Sequence, residues 1–352
     1  MGKEAIKMQK IVHITNDLQR LGGVQRLLVD LMTLQNSDFK FEVILTRGKN
    51  EYIDELKALG VEVFHKNDLG FLGVIKRLNA ADLVHTHLYP SIYIAYFTNT
   101  PTIVTEHNPH YRRRDLPFIK SLESIIYKKF KKIICISEGV KTKFLESIKV
   151  SSSKAYVINN GVNLDRFSQT AKTLSADAKV INIGMVGRFA PQKDIKTLLK
   201  LMTLLDDRFV LNLAGDGELR SEYEAYALSI GVSNKVKFLG QVNDIPTFLD
   251  SLDVYIQSSH WEGFGIAVVE AMAAGLPTFA SNVEGLNHVV DQNSLFEVGD
   301  KKSLAFKIEG LVNDAERFSH ASQLSIVRAK KFSIQQTAIE HSKVYASLME
   351  LN

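Results

Sequence analysis

Two glutamates eight residues apart, Glu262 and Glu270, bracket the most chemically loaded run of this 352-residue chain. Gly263-Phe264-Gly265 forms a small-residue loop between them, and Ile266 opens an apolar helical segment that stops at Gly275, just before Pro277. A helix start carries backbone N–H groups without internal acceptors and the positive end of the helix dipole. Gly265 and Ile266 are therefore placed to take a phosphate. Glu270, one turn in, can accept two hydrogen bonds from a vicinal diol such as a ribose, and Glu262 faces whatever lies beyond the phosphate. Grips for a sugar, a diphosphate and a ribose in succession describe a nucleotide sugar.

Other candidates sit at predicted strand ends. In Gly187-Arg188-Phe189-Ala190-Pro191-Gln192-Lys193-Asp194, Arg188 and Lys193 lie on one loop entering a helix. A guanidinium fork and an ammonium point charge can converge there on one diphosphate. Gly22-Gly23 follows the first strand and lets the backbone approach an anion closely, but the full GxGxxG dinucleotide pattern is absent. Asp216 and Asp244 read as helix N-caps, and the backbone of Val242 can alternatively meet a nucleobase edge. His85 and His87 share one face of a strand, and Glu106-His107-Asn108 follows another. Zinc is not expected there, because no cysteine and no third ligand in register accompany them. The chain has no Asp-x-Asp pair. The diphosphate charge is therefore expected to be met by Arg188, Lys193 and helix starts, with no metal and no cofactor beyond the nucleotide-sugar substrate.

The elements that must position these residues alternate regularly. Strand-like runs at 11–15, 41–46, 61–64, 83–87, 102–105, 132–137 and 155–158 are separated by helical segments such as 24–36 and 52–59. The pattern restarts at 180–186 and continues through 209–213, 236–239, 254–256 and 278–280, followed by helical periodicity from 301 to 348. Such alternation predicts an α/β chain of two Rossmann-like, doubly wound parallel sheets. The expected boundaries are an N-terminal domain over 1–168, a polar linker over 169–179 and a C-terminal domain over 180–333. A last helix over 334–352 is expected to pack back toward the N-terminal domain. Ligands of such folds bind beyond the carboxyl ends of the strands, here in an expected cleft between the two domains.

Composition is that of a globular protein, with 45% apolar and 23% charged residues. No apolar run reaches the roughly 20 residues of a membrane span. The N-terminus reads as lacking an export signal, and the single cysteine, Cys135, excludes an intrachain disulfide. The expectation is a cytoplasmic protein. Residues 1–168 carry 25 Lys and Arg against 17 Asp and Glu, whereas the remainder carries 18 against 22. The excess concentrates at 111–132, where Arg112, Arg113, Arg114, Lys120, Lys128, Lys129, Lys131 and Lys132 alternate with apolar residues at helical spacing. That segment is expected either to rest peripherally on an anionic membrane or to be a solvated basic face. Nucleic acid is disfavoured, because no stacking aromatics accompany the charge.

Together these motifs resemble the retaining GT-B glycosyltransferases of family 4. The likeness rests on Gly22-Gly23-x-Gln25-Arg26, the His107 region, Ser137-Glu138, Asn160-Gly161-Val162-Asn163, Gly187-Arg188 with Lys193-Asp194, and Gly215-Asp216-Gly217. It is most specific in Glu262 to Glu270 with Ala271-Met272-Ala273-Ala274-Gly275-Leu276-Pro277. The resemblance implies that Glu270 holds the donor ribose, while Arg188, Lys193 and the backbone at Phe264, Gly265 and Ile266 hold the diphosphate. It further implies that Gly23 lets the first lobe close on the phosphates, that Glu262 and His107 attend the sugar, and that the turn from Val242 to Asp244 forms the base pocket. The implied activity is retaining transfer from a nucleoside-diphosphate sugar, with a uridine donor expected first, to a saccharide or lipid-linked saccharide in cell-surface polysaccharide assembly. Two departures bear on donor identity and acceptor contacts: Val283-Glu284-Gly285-Leu286 stands where a Gly-Gly pair is frequent, and Gln25 where Glu is frequent. A nucleotide-sugar epimerase or hydrolase and a non-catalytic sugar-nucleotide-binding subunit are the competing readings. An NAD-dependent oxidoreductase ranks behind them.

Overall fold

A computed structural model describes residues 8–20, 23–175 and 177–349. The chain divides into two units, Met1–Gly161 with Ile334–Asn352, and Val162–Ser333.

The first unit opens with β1 (Gln9–Thr15), α1 (Gly23–Gln35), β2 (Phe39–Leu45), α2 (Ile53–Ala58), β3 (Glu62–His65) and α3 (Lys66–Asn79). It continues through β4 (Leu83–His87), α4 (Ser91–Ala95), β5 (Thr102–Glu106), α5 (Pro117–Lys129), β6 (Lys132–Cys135), α6 (Glu138–Ser147) and β7 (Ala155–Val157). Its seven strands run parallel in the order β3-β2-β1-β4-β5-β6-β7. β1 and β4 are buried along nearly their whole length, as strands covered on both faces must be.

The second unit holds β8 (Ile181–Val186), α7 (Ile195–Leu201), β9 (Phe209–Ala214), α8 (Arg220–Ser229), β10 (Val236–Gly240), α9 (Ile245–Asp250) and β11 (Val254–Gln257). α10 (Ile266–Ala273), β12 (Thr278–Ser281), β13 (Leu295–Phe296), α11 (Lys301–Val312) and α12 (Ala315–Ala329) complete it. Six parallel strands take the order β10-β9-β8-β11-β12-β13. Each sheet reverses its winding beside its first strand, between β1 and β4 and between β8 and β11. Those switch points are where open α/β sheets bind ligands.

α13 (Ile334–Met349) belongs to the first unit. Ile334 and Ala338 pack on Leu27 and Leu31 of α1, and Tyr345 enters the core under Phe39. Gln35 Nε2 donates to Ala338 O at 2.9 Å and to Ser342 Oγ at 2.7 Å, so a buried amide ties the two helices.

The division at Gly161/Val162 lies seven residues before the expected boundary at 168, and 169–179 is not a free linker. Gln169 N donates to Ala273 O, Lys172 Nζ donates to the carbonyls of Asp250 and Leu252, and Leu174 joins the core of the second unit. A polar, aperiodic stretch can pack through its backbone and two side chains, which hydrophobic periodicity does not register.

Candidate functional site

At the switch point of the second unit, the loop after β8 meets the loop after β11. His260 N donates to Gln192 O, and Ser258 Oγ donates to the carbonyls of Lys193 and Asp194 at 3.1 Å. These bonds bring Lys193 Nζ to 2.5 Å from Glu262 Oε1. The same oxygen accepts from Ser259 Oγ at 2.9 Å and Gln257 Nε2 at 3.4 Å, and Oε2 accepts from Gln192 Nε2 at 3.3 Å. Only 8% of Glu262 is exposed. Its carboxylate is thus a fixed, nearly saturated acceptor with a cation against it.

Three residues later the chain turns into α10. Gly265 has φ +90°, and a Cβ there would lie 2.4 Å from Leu286 Cδ2, so both backbone and packing demand glycine. Val268 and Val269 both donate to Gly265 O, leaving the amides ahead of them as the open donors of a helix start. Phe264 is buried against Phe332 and anchors the loop. Glu270 is half-buried one turn along, on the same helix.

Arg188 stands apart from this group. Its side chain is 74% exposed and pairs with Glu218 at 2.8 Å. Its loop is nonetheless rigid, because Gly187 N and Phe189 N donate to Ala214 O and Asp216 O. A Cβ on Gly215 (φ +142°) would fall 1.9 Å from Gly187 O, so two strand-end loops touch backbone to backbone. Asp216 does not cap α8, contrary to expectation. It accepts from Gly217 N at 2.7 Å and pairs with Arg220 at 3.3 Å, because the helix starts four residues later. Asp244 does cap α9, through Thr247 N and Thr247 Oγ1. Both of its oxygens serve that helix, and Val242 beside it is half-buried. Any base contact in this turn therefore falls to the backbone.

In the first unit Gly23 opens α1 and is exposed, while its neighbour Gly22 lies outside the described residues. His107, after β5, belongs to a cluster that sequence reasoning saw only in part. The expectation that no third histidine shares the register fails: β1 places His13 directly beside His85 of β4. Ligand atoms of His13, His85 and His87 lie within 4.8 Å of one another. Yet these nitrogens face each other or fixed hydroxyls. His13 Nδ1 is 3.0 Å from His87 Nε2, and His87 Nδ1 is 3.2 Å from His107 Nε2. His85 contacts Tyr345 OH and Thr105 Oγ1 at 2.9 and 2.7 Å. Burial, aided by the neighbouring His341, holds His13 and His107 at about 3. Burial also holds His341 at about 4 and lowers His85 and His87 well below the ordinary imidazole range. His13 was legible in principle, since a doubly wound sheet sets its first strand against its fourth. Gln257, Ser259 and Gln192 flank Glu262 and Lys193 in sequence, but their convergence needs the loop fold.

Over 111–132 four of the eight basic side chains are engaged within the fold. Arg114 is buried against Glu106 and Glu123 at 3.0 and 2.7 Å, and Arg113 also pairs with Glu123. Lys129 donates to Thr98 O and Lys132 to Ser347 Oγ. Ile126 and Phe130 are core residues. What faces outward is an apolar row, Leu116, Phe118, Leu122 and Ile125, with Arg112, Lys120, Lys128 and Lys131 exposed beside it. A shallow cavity of about 680 Å³ adjoins the row, lined by Tyr89, Tyr93, Tyr111, Arg112, Ile119 and Leu122 among others.

Comparison with known proteins gives a consistent result. The family model described as Glycosyltransferase Family 4 matches residues 21–166, and that described as Glycosyl transferases group 1 matches 167–325. The chain is 28% identical to the UDP-Gal:alpha-D-GlcNAc-diphosphoundecaprenol alpha-1,3-galactosyltransferase of Escherichia coli, over 90% of each protein. It is 26% identical to the capsular polysaccharide biosynthesis glycosyltransferase CapH of Staphylococcus aureus, over 97% of this chain and 99% of that one. Among solved structures, Anabaena HepE in complex with UDP and glucose superposes with a TM-score of 0.84 at 19% identity, covering 96% of this chain and 100% of that one.

Proposed function

Since this chain belongs to glycosyltransferase family 4 and is a GT-B glycosyltransferase, we propose that it transfers a sugar from a UDP-sugar to a lipid-linked saccharide. The transfer retains anomeric configuration, needs no metal and serves cell-surface polysaccharide assembly. The observation that carries the reading is the Lys193–Glu262 pair set against the start of α10. Lys193 and the α10 amides receive the leaving diphosphate, Glu270 receives the ribose hydroxyls, and the backbone near Val242 meets the base. Arg188 on its rigid loop joins the diphosphate by exchanging Glu218 for it. As the bond from the anomeric carbon to the diphosphate oxygen breaks, the developing charge is met by fixed dipoles and cations that need no reorganisation.

Glu262 is a poor nucleophile in this setting, since one oxygen already accepts from three donors. That favours front-face substitution: the acceptor hydroxyl oxygen bonds to the anomeric carbon while its proton passes to the departing phosphate oxygen. Glu262 then orients the donor sugar and stabilises positive charge on the ring. A lipid-linked acceptor is supported by the diphosphoundecaprenol-linked substrate in the E. coli relative's name and by the outward apolar row at 116–125 with the exposed cations beside it. The row enters the interface of an anionic membrane at the cytoplasmic face, each cation contributing about 1 kcal/mol near the headgroups. The tyrosine-lined cavity beside it takes the acceptor saccharide.

Purified protein with a panel of nucleotide sugars tests the reading. Acceptor-dependent transfer that persists in EDTA, with the product's anomeric configuration matching the donor's, is expected. Acceptor-independent release of monosaccharide or epimer, or strict dependence on a divalent ion, overturns it. Co-sedimentation with vesicles containing anionic lipid, weakened by Phe118→Asp with Ile125→Asp, tests the membrane component.

A further inference from the structure

His107 Nδ1 is a buried polar atom with no hydrogen-bond partner among the described residues, in a side chain 91% buried. Such atoms are rare and call for an explanation. Its other nitrogen ends a chain of three imidazoles, His13 Nδ1 to His87 Nε2 at 3.0 Å and His87 Nδ1 to His107 Nε2 at 3.2 Å. β1, β4 and the end of β5 supply one ring each, so the sheet fixes all three. A neutral imidazole has one N–H and one lone pair. Each contact must pair one with the other, which obliges the three rings to share a tautomer. With every proton on Nδ1, His107 would bury an N–H without an acceptor. With every proton on Nε2, it buries only a lone pair. An orphaned N–H is the rarer arrangement.

We infer that His13 and His87 are positioning residues that lock His107 as a neutral Nε2–H tautomer, so that its Nδ1 accepts a hydrogen bond from a hydroxyl of the bound saccharide. This rests on the reading that His107 attends the sugar. It adds a selection rule. A fixed lone pair welcomes an O–H donor and repels a carboxylate, so the protein discriminates against a sugar uronate at that position. The Nε2–H groups of His87 and His107 are committed to His13 Nδ1 and His87 Nδ1, and the lone pair cannot turn into a donor unless the whole chain shifts its protons together.

Two-bond ¹H–¹⁵N NMR of the full chain labelled at histidine reads the tautomers directly at neutral pH. His13, His87 and His107 are expected in the Nε2–H form. In His13→Phe, the loss of the terminal acceptor is expected to turn His107, two rings away, from one tautomer into a mixture. Transfer should fall about five- to tenfold in kcat/KM, the worth of one misdirected hydrogen bond, and the preference for the neutral sugar over its uronate should narrow. His87→Gln, whose amide keeps an acceptor for His107 Nε2–H, should retain the wild-type His107 tautomer, whereas His87→Leu should not. That pair decides the matter if His13→Phe does not fold. An Nδ1–H form of His107 in the wild type, or an unchanged His107 in His13→Phe, overturns the chain. Stoichiometric Zn²⁺ that survives gel filtration and is lost in His13→Phe also overturns it. Full transfer activity in His107→Phe would instead remove the sugar contact, whatever the tautomers show.

Discussion

On the proposed reading, Lys193 and Glu262 compete with the ligand for one another. A diphosphate arriving at the start of α10 would draw Lys193 away from Glu262 Oε1, and the carboxylate beside it would oppose the incoming negative charge. Glu262→Gln removes that opposition while keeping the side chain's shape and one acceptor oxygen. UDP binding, read by calorimetry, is expected to tighten by up to about tenfold, while kcat falls about 10²-fold because the charge attending the sugar ring is gone. Losses in affinity and kcat by the same factor would mean that Glu262 acts only as a structural brace for Lys193. Lys193→Ala should shift affinity the opposite way. Nucleotide affinity and kcat both drop, the latter by about 10²–10³, and the second unit loses stability because a buried carboxylate has lost its cation. Unchanged UDP affinity in Lys193→Ala would remove the lysine from the diphosphate site.

At the level of elements, the run from Glu262 to Pro277 is legible in sequence because its requirements are local. Gly265 must take φ +90°, Ile266 must start a helix, and Gly275 with Pro277 must stop it, all within one short run. β4 is equally readable, its expected bounds at Leu83 and His87 being those observed. α3 is not, because Gly70 breaks it with φ +66° and only Val74 and Leu78 are buried along it, so no apolar stripe repeats. Nor is the fate of the arginines before α5. A run of three reads as surface charge, yet Arg114 is enclosed with Glu106, Glu123 and Tyr127, partners drawn from β5 and α5. Burial of an arginine depends on distant carboxylates, and nothing in its neighbourhood in sequence announces them. Arg114→Leu should therefore destabilise the protein by about 3–5 kcal/mol, leaving the buried Glu106 without its cation and Glu123 with Arg113 alone. Exposed Arg112→Leu should cost under about 0.5 kcal/mol. Equal shifts in urea midpoint for the two variants would contradict the buried network.

The two units share a sheet topology but differ in what they bury at the switch point. The second unit buries an ion pair there, whereas the first buries imidazoles, with His13, His85, His87, His107 and His341 all in its interior. The second unit's histidines, His260, His288 and His320, are exposed. This asymmetry makes acid stability a property of one unit. Above the unfolded histidine value of about 6.5, the five rings are neutral in both states and titration contributes nothing to the balance. As pH falls toward 4, the unfolded chain binds protons that the folded unit refuses, because burial holds His13 and His107 at about 3 and His341 at about 4. The unfolded state then binds more protons, and stability is lost at up to about 1.4 kcal/mol per pH unit for each such ring. Hydrogen exchange followed from pH 7 to 4.5 and corrected for intrinsic rates should show β1 and β4 losing protection before β8 and β11. His13→Phe, if folded, should flatten the first unit's slope by one histidine's share. Loss of protection first in β8 and β11, or an unchanged slope in the variant, would mean that the imidazoles take up protons while still enclosed.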